Sequence, residues 1–342
     1  MERDQLLLEV RNLRTYFFLD EGTVRAVDGA DFEIKRGHTL GVVGESGCGK
    51  SVTAQSVLRI VPPPGRIVEG EMVFHRLLQG DGSSASQMVA LVDLTALDSR
   101  GREIRSIRGA EIAMVFQEPM TSLSPVHTIG SQIVEAITLH QEVSKAEARE
   151  KAIEMLDRVG MPEPSQTMDS YPHQLSGGMR QRGMTAMALS CNPSLLIADE
   201  PTTALDVTTE AQILELMRDL QQELGMAIMY ITHDLGVIAE MAEVVVVMYM
   251  GKVVERADVD SIFYTPQHPY MRALLKSIPR IGKKSRQRLE SIKGVVPDPY
   301  AIPRGCPFHP RCSDFISGLC NREEPPWVQV GSGHWARCHL YA

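Results

Sequence analysis

The sequence predicts an α/β fold: a largely parallel sheet covered by helices on both faces, with antiparallel strands before it and a small cysteine-rich tail after it. Three observations predict this. Short apolar runs of strand length alternate with amphipathic helical stretches from about residue 128 to residue 260. The apolar run from Thr39 to Val43 passes through a glycine-rich loop straight into a helical stretch. Hydrophobic residues make up 43% of the 342 and charged residues 23%, enough for a buried core and too apolar for a disordered chain.

That length fits one large domain with a smaller unit attached. A net charge of -8 disfavours nucleic-acid binding by general charge. The longest strongly apolar stretch, Val244 to Met250, falls far short of the ~20 residues of a membrane-spanning helix. The opening MERDQLLLEV places charges ahead of its short leucine run, unlike a secretory signal. A cytosolic protein is expected, one that can still dock on a membrane protein.

The elements follow in order. LLLEVRNL, TVRAVDGADFEI and TLGVVG alternate as strands, with turns expected at Asp28-Gly29 and Lys35-Arg36-Gly37. SVTAQSVLRIV is helical, with Pro62-Pro63-Pro64-Gly65 as its stop. Residues 79–88, rich in Gly and Ser, read as a surface loop. GSQIVEAITLHQ and SKAEAREKAIEMLDRVG place apolar residues at three- and four-residue steps and are helices. The run from Ser194 to Asp199 is a buried strand, TTEAQILELMRDLQQELG a helix, MAIMYITH a second buried strand, and VVVVMYMGKVVE a hairpin turning at Gly251. Composition shifts near Ser261. Residues 276–293 carry seven Lys/Arg against one Glu, a solvated linker or a contact for acidic lipid or a partner subunit. Proline is dense from 297 to 326, and this polar tail reads as lacking a core of its own, so that a metal staple would make physical sense.

Gly44-Glu45-Ser46-Gly47-Cys48-Gly49-Lys50-Ser51 matches G-x-x-x-x-G-K-[ST] in full, between a strand and a helix. Its glycines let backbone N–H groups wrap phosphate oxygens at a helix N-terminus. Lys50 supplies positive charge near the β- and γ-phosphates, the Ser51 hydroxyl can ligate Mg²⁺, and Val52 follows in the first helical turn. Cys48 reads as a small residue that presents backbone, not as a nucleophile. The strand ending in Asp199-Glu200 delivers two carboxylates at its C-terminal end, where open α/β sheets bind ligands. Asp199 would hold Mg²⁺ through its water shell and Glu200 would polarise an attacking water.

Between these sites, Leu175-Ser176-Gly177-Gly178-Met179-Arg180-Gln181 resembles the signature motif of the ATP-binding-cassette (ABC) ATPases. Gln117 matches that family's Q-loop, Ala204-Leu205-Asp206 its D-loop, and His233 its switch histidine, all in the family's order. The resemblance implies a P-loop NTPase fold with a RecA-like core, an antiparallel β-subdomain and a helical subdomain at about 120–190. Residues 1–260 would form the ATPase domain and 261–342 an extension. It also implies two subunits facing head to tail, with Ser176, Gly177, Gly178 and Asp206 serving ATP bound at the partner's loop. Glu200 would be the general base, His233 the γ-phosphate sensor, and Gln117 the link from Mg²⁺ to the helical subdomain. Phe17 stands in the family's adenine-stacking position, with Tyr16 and Phe18 as core residues.

Ala26-Val27-Asp28-Gly29, Phe116-Gln117-Glu118-Pro119-Met120-Thr121-Ser122-Leu123, LSGGMRQR and YTPQHPY resemble the oligopeptide/dipeptide importer branch more narrowly. The partners so implied are a second, non-identical cassette, two transmembrane permeases and, indirectly, an extracytoplasmic peptide-binding protein, with no nucleic acid. The chain would sit at the cytoplasmic side of the cell membrane. An importer of nickel or another small solute, or a non-transporting regulatory ABC protein, is the alternative. The span 72–106 is longer than the branch leads one to expect. Cys306, Cys312, Cys320 and Cys338 match branch members that carry a [4Fe-4S] cluster, for which four thiolates is the right count. Structural Zn²⁺ and free thiols are the alternatives, although zinc ligands usually pair as C-x₂₋₄-C and no such pair exists here.

Overall fold

The computed structural model describes residues 5–78, 88–117, 122–203, 205–277 and 292–342. Most of the Gly/Ser loop, residues 118–121 after Gln117, Ala204 of the D-loop and most of the basic stretch lie outside the described residues.

The chain runs through β1 (Leu6–Leu19), β2 (Gly22–Lys35), β3 (Thr39–Val43), α1 (Lys50–Val57), β4 (Gly65–Leu78), β5 (Met88–Asp93), α2 (Arg102–Ile107) and β6 (Ile112–Val115). Then come α3 (Ile129–His140), α4 (Lys145–Arg158), α5 (Gly177–Leu189), β7 (Leu195–Asp199), α6 (Val207–Leu224), β8 (Ala227–Ile231) and α7 (Leu235–Met241). The hairpin β9 (Val244–Tyr249) and β10 (Lys252–Asp258) leads to α8 (Val259–Tyr264), α9 (Pro269–Ser277), β11 (Trp327–Gly331) and β12 (His334–Arg337).

Two expectations are corrected. Asp28-Gly29 is not a turn: β2 runs through it, with Gly29 at φ 91, and the reversal between β1 and β2 falls at residues 20–21. The prolines do not stop α1. Arg59 at φ 56 does, with Ile60 N–H returning to the Gln55 carbonyl (2.9 Å) and Arg59 N–H to Ser56 (3.0 Å), a Schellman closure with arginine in the usual glycine place.

The contacts divide the chain into two units. One comprises the first residues to Leu8, Ile34–Thr39 and Val73–Ile231. Three of its strands run parallel in the order β8-β7-β6, with Leu195 opposite both Ala227 and Ile112. Every residue of these three strands is buried, which explains their unbroken apolar runs. Helices α3, α4 and α5 pack on one another. A capping box starts α4: Ser144 N–H donates to Glu147 (2.8 Å) and Glu147 N–H to the Ser144 hydroxyl (3.3 Å). The span 72–106 contains the antiparallel pairing of β4 with β5, from Val73 opposite Asp93 to Leu78 opposite Met88, and α2.

The other unit comprises Glu9–Glu33, Leu40–Met72 and Thr232–Ala342. Its strand order is β11-β12-β10-β9-β3, with β3 parallel to β9 from Leu40 opposite Val244. The β9–β10 hairpin turns at Gly251 as expected. Met250 and Gly251 both take positive φ (47° and 79°), the backbone a tight two-residue hairpin demands. The tail is not coreless. Fully buried Glu255 on β10 accepts the backbone N–H groups of Gln267 (2.6 Å) and His268 (2.9 Å) and bonds His334 Nε2 (2.7 Å). Phe308 is buried against the rings of Tyr249 and Tyr270. No helix among the described residues is long and apolar enough to cross a membrane.

Candidate functional site

The phosphate loop leaves β3 as buried Gly44, exposes Ser46 and Gly47 at its tip, and buries Cys48, Gly49 and Lys50 again. Close packing dictates the glycines at two of its positions. A Cβ on Gly44 would lie 2.3 Å from the Met248 carbonyl oxygen, and one on Gly49 2.1 Å from that of Ala26. The Lys50 ammonium donates to the carbonyls of Gly44 (2.8 Å) and Glu45 (3.3 Å), which fixes its charge at the loop. Half-buried Ser51 and Val52 occupy the first turn of α1, where N–H groups lack helical acceptors and favour an anion. Burial pushes the Cys48 thiol up to about 11, so it stays protonated and fills space against Gly44.

Glu45 is tied from behind. Its carboxylate receives both terminal nitrogens of Arg311, at 2.6 and 2.9 Å, and its N–H donates to the Tyr270 hydroxyl (2.9 Å). Sequence reasoning missed this: the two ends of the ion pair are 266 residues apart, and no spacing signal connects them.

Of the aromatics before the loop, Tyr16 donates to Asp28 (2.5 Å). Half-buried Phe17 packs so tightly on Gly65 that a Cβ there would lie 2.6 Å from its ring. Phe18 is the exposed one, with the Arg66 guanidinium 4.3 Å from its ring centroid. His233 in this unit is exposed, just ahead of the Asp234 cap of α7.

In the first unit, β7 delivers Asp199 and Glu200, both buried. Gln117, after β6, donates to Glu200 Oε2 (3.0 Å), and Thr203, also missed in the sequence, donates to the same oxygen (3.2 Å). Glu200 is held at φ 45 by its N–H bond to the Ile231 carbonyl (2.8 Å). A left-handed glutamate held in place by its neighbours is the kind of strain found at reacting sites. The signature residues start α5: the Ser176 hydroxyl accepts Met179 N–H (3.3 Å), and Ser176 and Gly177 are exposed. A Cβ on Gly178 would lie 2.9 Å from Thr209, whereas Gly177 has nothing closer than 3.9 Å and is open for approach. Asp206 caps α6, accepting from Thr208 N–H, Thr209 N–H and the Thr209 hydroxyl (3.1, 3.0 and 2.7 Å), which hold its carboxyl below the usual range.

In the tail, Cys306, Cys320 and Cys338 are buried and Cys312 is partly so. Cys306 N–H donates to the Cys320 carbonyl (2.8 Å). Burial, and then the charges of the other three, push the Cys306 thiol up to about 12. The four are thus within electrostatic reach of one another. They do not form the ready ligand set the sequence led one to expect: among the described residues, no group of three or more His, Cys, Asp or Glu side chains is placed to hold a metal ion.

Comparison with known proteins agrees with this geometry. The family model described as ABC transporter matches residues 27–203, and that of the oligopeptide/dipeptide transporter C-terminal region matches residues 254–320. The oligopeptide transport ATP-binding protein AppD of Bacillus subtilis is 50% identical, across 98% of this chain and 97% of AppD. The dipeptide transport ATP-binding protein DppD of Escherichia coli is 45% identical, across 97% of this chain and 96% of DppD. Among solved structures, the dimeric post-hydrolysis state of the ATP-binding cassette MJ0796 bound to ADP and Pi is 27% identical, with a TM-score of 0.62, across 74% of this chain and 99% of that one.

Proposed function

The chain belongs to the ABC transporter family of ATPases, and from that premise we propose that it is the ATP-hydrolysing subunit that powers import of di- or oligopeptides across the cytoplasmic membrane. The match of residues 254–320 to the oligopeptide/dipeptide transporter C-terminal region carries the choice of peptide. Near full-length likeness to AppD and DppD supports it. In this reading residues 1–260 are the cassette and 261–342 the extension.

The residues divide the chemistry among them. Glycines 44, 47 and 49, with Glu45, Ser46, Cys48, Lys50, Ser51 and Val52, bind the phosphates, and Phe17 takes the adenine. Mg²⁺, when bound, neutralises phosphate charge, and Ser51, Gln117 and Asp199 are the residues to hold it. Glu200 draws a proton from the attacking water. Its bonds from Gln117 and Thr203 support the role, because they hold one carboxylate oxygen in a fixed orientation. His233 contacts the γ-phosphate. Ser176, Gly177, Gly178 and Asp206 serve ATP held by a second, related but different cassette. Exposure of Ser176, Gly177 and Asp206 supports this. Two permeases receive the stroke, a peptide-binding protein outside the membrane supplies the cargo, and the chain is peripheral on the cytoplasmic side. The four tail cysteines hold a [4Fe-4S] cluster. Their number supports it.

The test is transport by the complete complex in proteoliposomes, with Glu200→Gln in this chain. The amide keeps the shape and loses the base. ATP binding should persist while hydrolysis and peptide uptake fall to background. Turnover within a few-fold of the unmodified complex would remove Glu200 as base, and nickel uptake without peptide uptake would overturn the substrate.

A further inference from the structure

The tail reaches back to the phosphate loop at Glu45. Arg311, in the short helical turn His309–Arg311 between the first two tail cysteines, is almost fully buried: 4% of its side chain is exposed. Its fork meets both carboxylate oxygens of Glu45, the planar two-bond match that arginine makes and lysine does not. The guanidinium lies 5.8 Å from the Tyr249 ring centroid and 6.0 Å from that of Phe308. Tyr270, packed against both rings, takes the Glu45 N–H. The third Arg311 donor, Nε, is buried without a hydrogen-bond partner. An arginine kept for stability alone gains little from such a place, since a buried donor left unmade costs free energy.

We propose that the tail sets the affinity of the phosphate loop for nucleotide, with Arg311 as a positioning residue that neutralises and orients Glu45. The proposal rests on the reading that this loop binds ATP. Glu45 follows directly on the first loop glycine, so an uncompensated carboxylate there repels the phosphates. The Arg311 fork cancels that charge, and the Tyr270 hydroxyl fixes the backbone on which it sits. Nothing in this depends on what the four thiols bind.

The full chain, in its complex, is titrated with a fluorescent ATP analogue, and ATPase kinetics are recorded beside it. Arg311→Met should weaken analogue binding about tenfold, the size of one unmasked charge at short range. It should raise KM more than it lowers kcat. Arg311→Lys keeps the charge without the fork and should fall between. The decisive variant joins Arg311→Met to Glu45→Gln. With no carboxylate left to neutralise, the loss of Arg311 should matter less than about twofold relative to Glu45→Gln alone. Equal weakening by Arg311→Met in both backgrounds overturns the proposal. So does a fall in kcat at constant KM, the mark of a merely unstable tail. Should Arg311→Met fail to fold, the comparison of Arg311→Lys with and without Glu45→Gln decides in the same way. Lys50→Ala separates the premise: if it binds the analogue as well as the unmodified chain does, the loop is not the nucleotide site, and the proposal falls with that reading.

Discussion

The three loop glycines are required for different reasons. At Gly44 and Gly49 a side chain has no room, because carbonyl oxygens of Met248 and Ala26 stand within 2.3 and 2.1 Å of where a Cβ would be. At Gly47 there is open space, and only its backbone, at φ 78, excludes other residues. Gly47→Ala should therefore fold and lose about 1–2 kcal/mol, the strain of a left-handed alanine, in urea unfolding. Gly49→Ala should displace the loop and abolish nucleotide binding; retained binding would show that the Ala26 strand gives way. His268 yields a pH prediction. It is fully buried, its ring accepts Tyr270 N–H (3.1 Å), and burial lowers its pKa to about 3. Unfolded, it titrates near ~6.5. Between those values the unfolded chain binds the extra proton, so stability falls as pH drops below 6.5 and the histidine contributes no slope above it. His268→Gln should flatten that part of the urea-midpoint profile; an unchanged slope would assign it to other groups.

At the scale of elements, the start of α5 combines a fold signal with a functional one. Ser176 caps the helix through Met179 N–H and is exposed, and in the proposed reading it also serves a second nucleotide. Ser176→Asp keeps a capping oxygen and brings a negative charge, so the helix should stay intact while ATP turnover is lost. Ser176→Ala should cost about 1 kcal/mol of stability by loss of the cap. If Ser176→Asp hydrolyses ATP normally, the serine is a cap and nothing more. Elements with local signals were legible in the sequence. The buried strands β7 and β8 showed as unbroken apolar runs, α3 and α4 as periodicity, and Gly251 as a hairpin turn. Features set by distant contacts were not. Asp28-Gly29 has turn chemistry, yet it lies inside β2, where Gly29 takes a positive φ of 91°. Arg59 stops α1 without any residue that announces it. Each carboxylate and glycine of the site stood in a motif, but the partners of Glu45, Arg311 and Tyr270, are side chains that only folding brings near, and Thr203, three residues from Glu200, carried no motif of its own.

At the scale of the whole molecule, the tail tests what a metal would be needed for. Its polar sequence pointed to a metal staple as the source of its order. The structure supplies other sources: Glu255 joins β10 to His334 and to the start of α9, Phe308 sits among tyrosines, and β12 pairs with β10 from Glu255 opposite Ala336. These contacts need no metal. If the thiols hold [4Fe-4S], protein purified without oxygen should contain about four irons and four sulfides per chain. Replacing Cys306, Cys312, Cys320 or Cys338 by Ser should lower that content, whereas Cys48→Ser and Cys191→Ser should not. Because Glu255 and Phe308 anchor the rest, loss of the cluster should speed hydrogen exchange at the Cys306 N–H and its neighbours up to Cys320. The β11–β12 hairpin should stay as protected as before. Exchange rising equally across 306–338 would make the metal the staple after all. One zinc per chain without acid-labile sulfide would keep the four thiolates as ligands and remove the cluster. The anchoring prediction would still stand, since it follows from side chains that bind no metal.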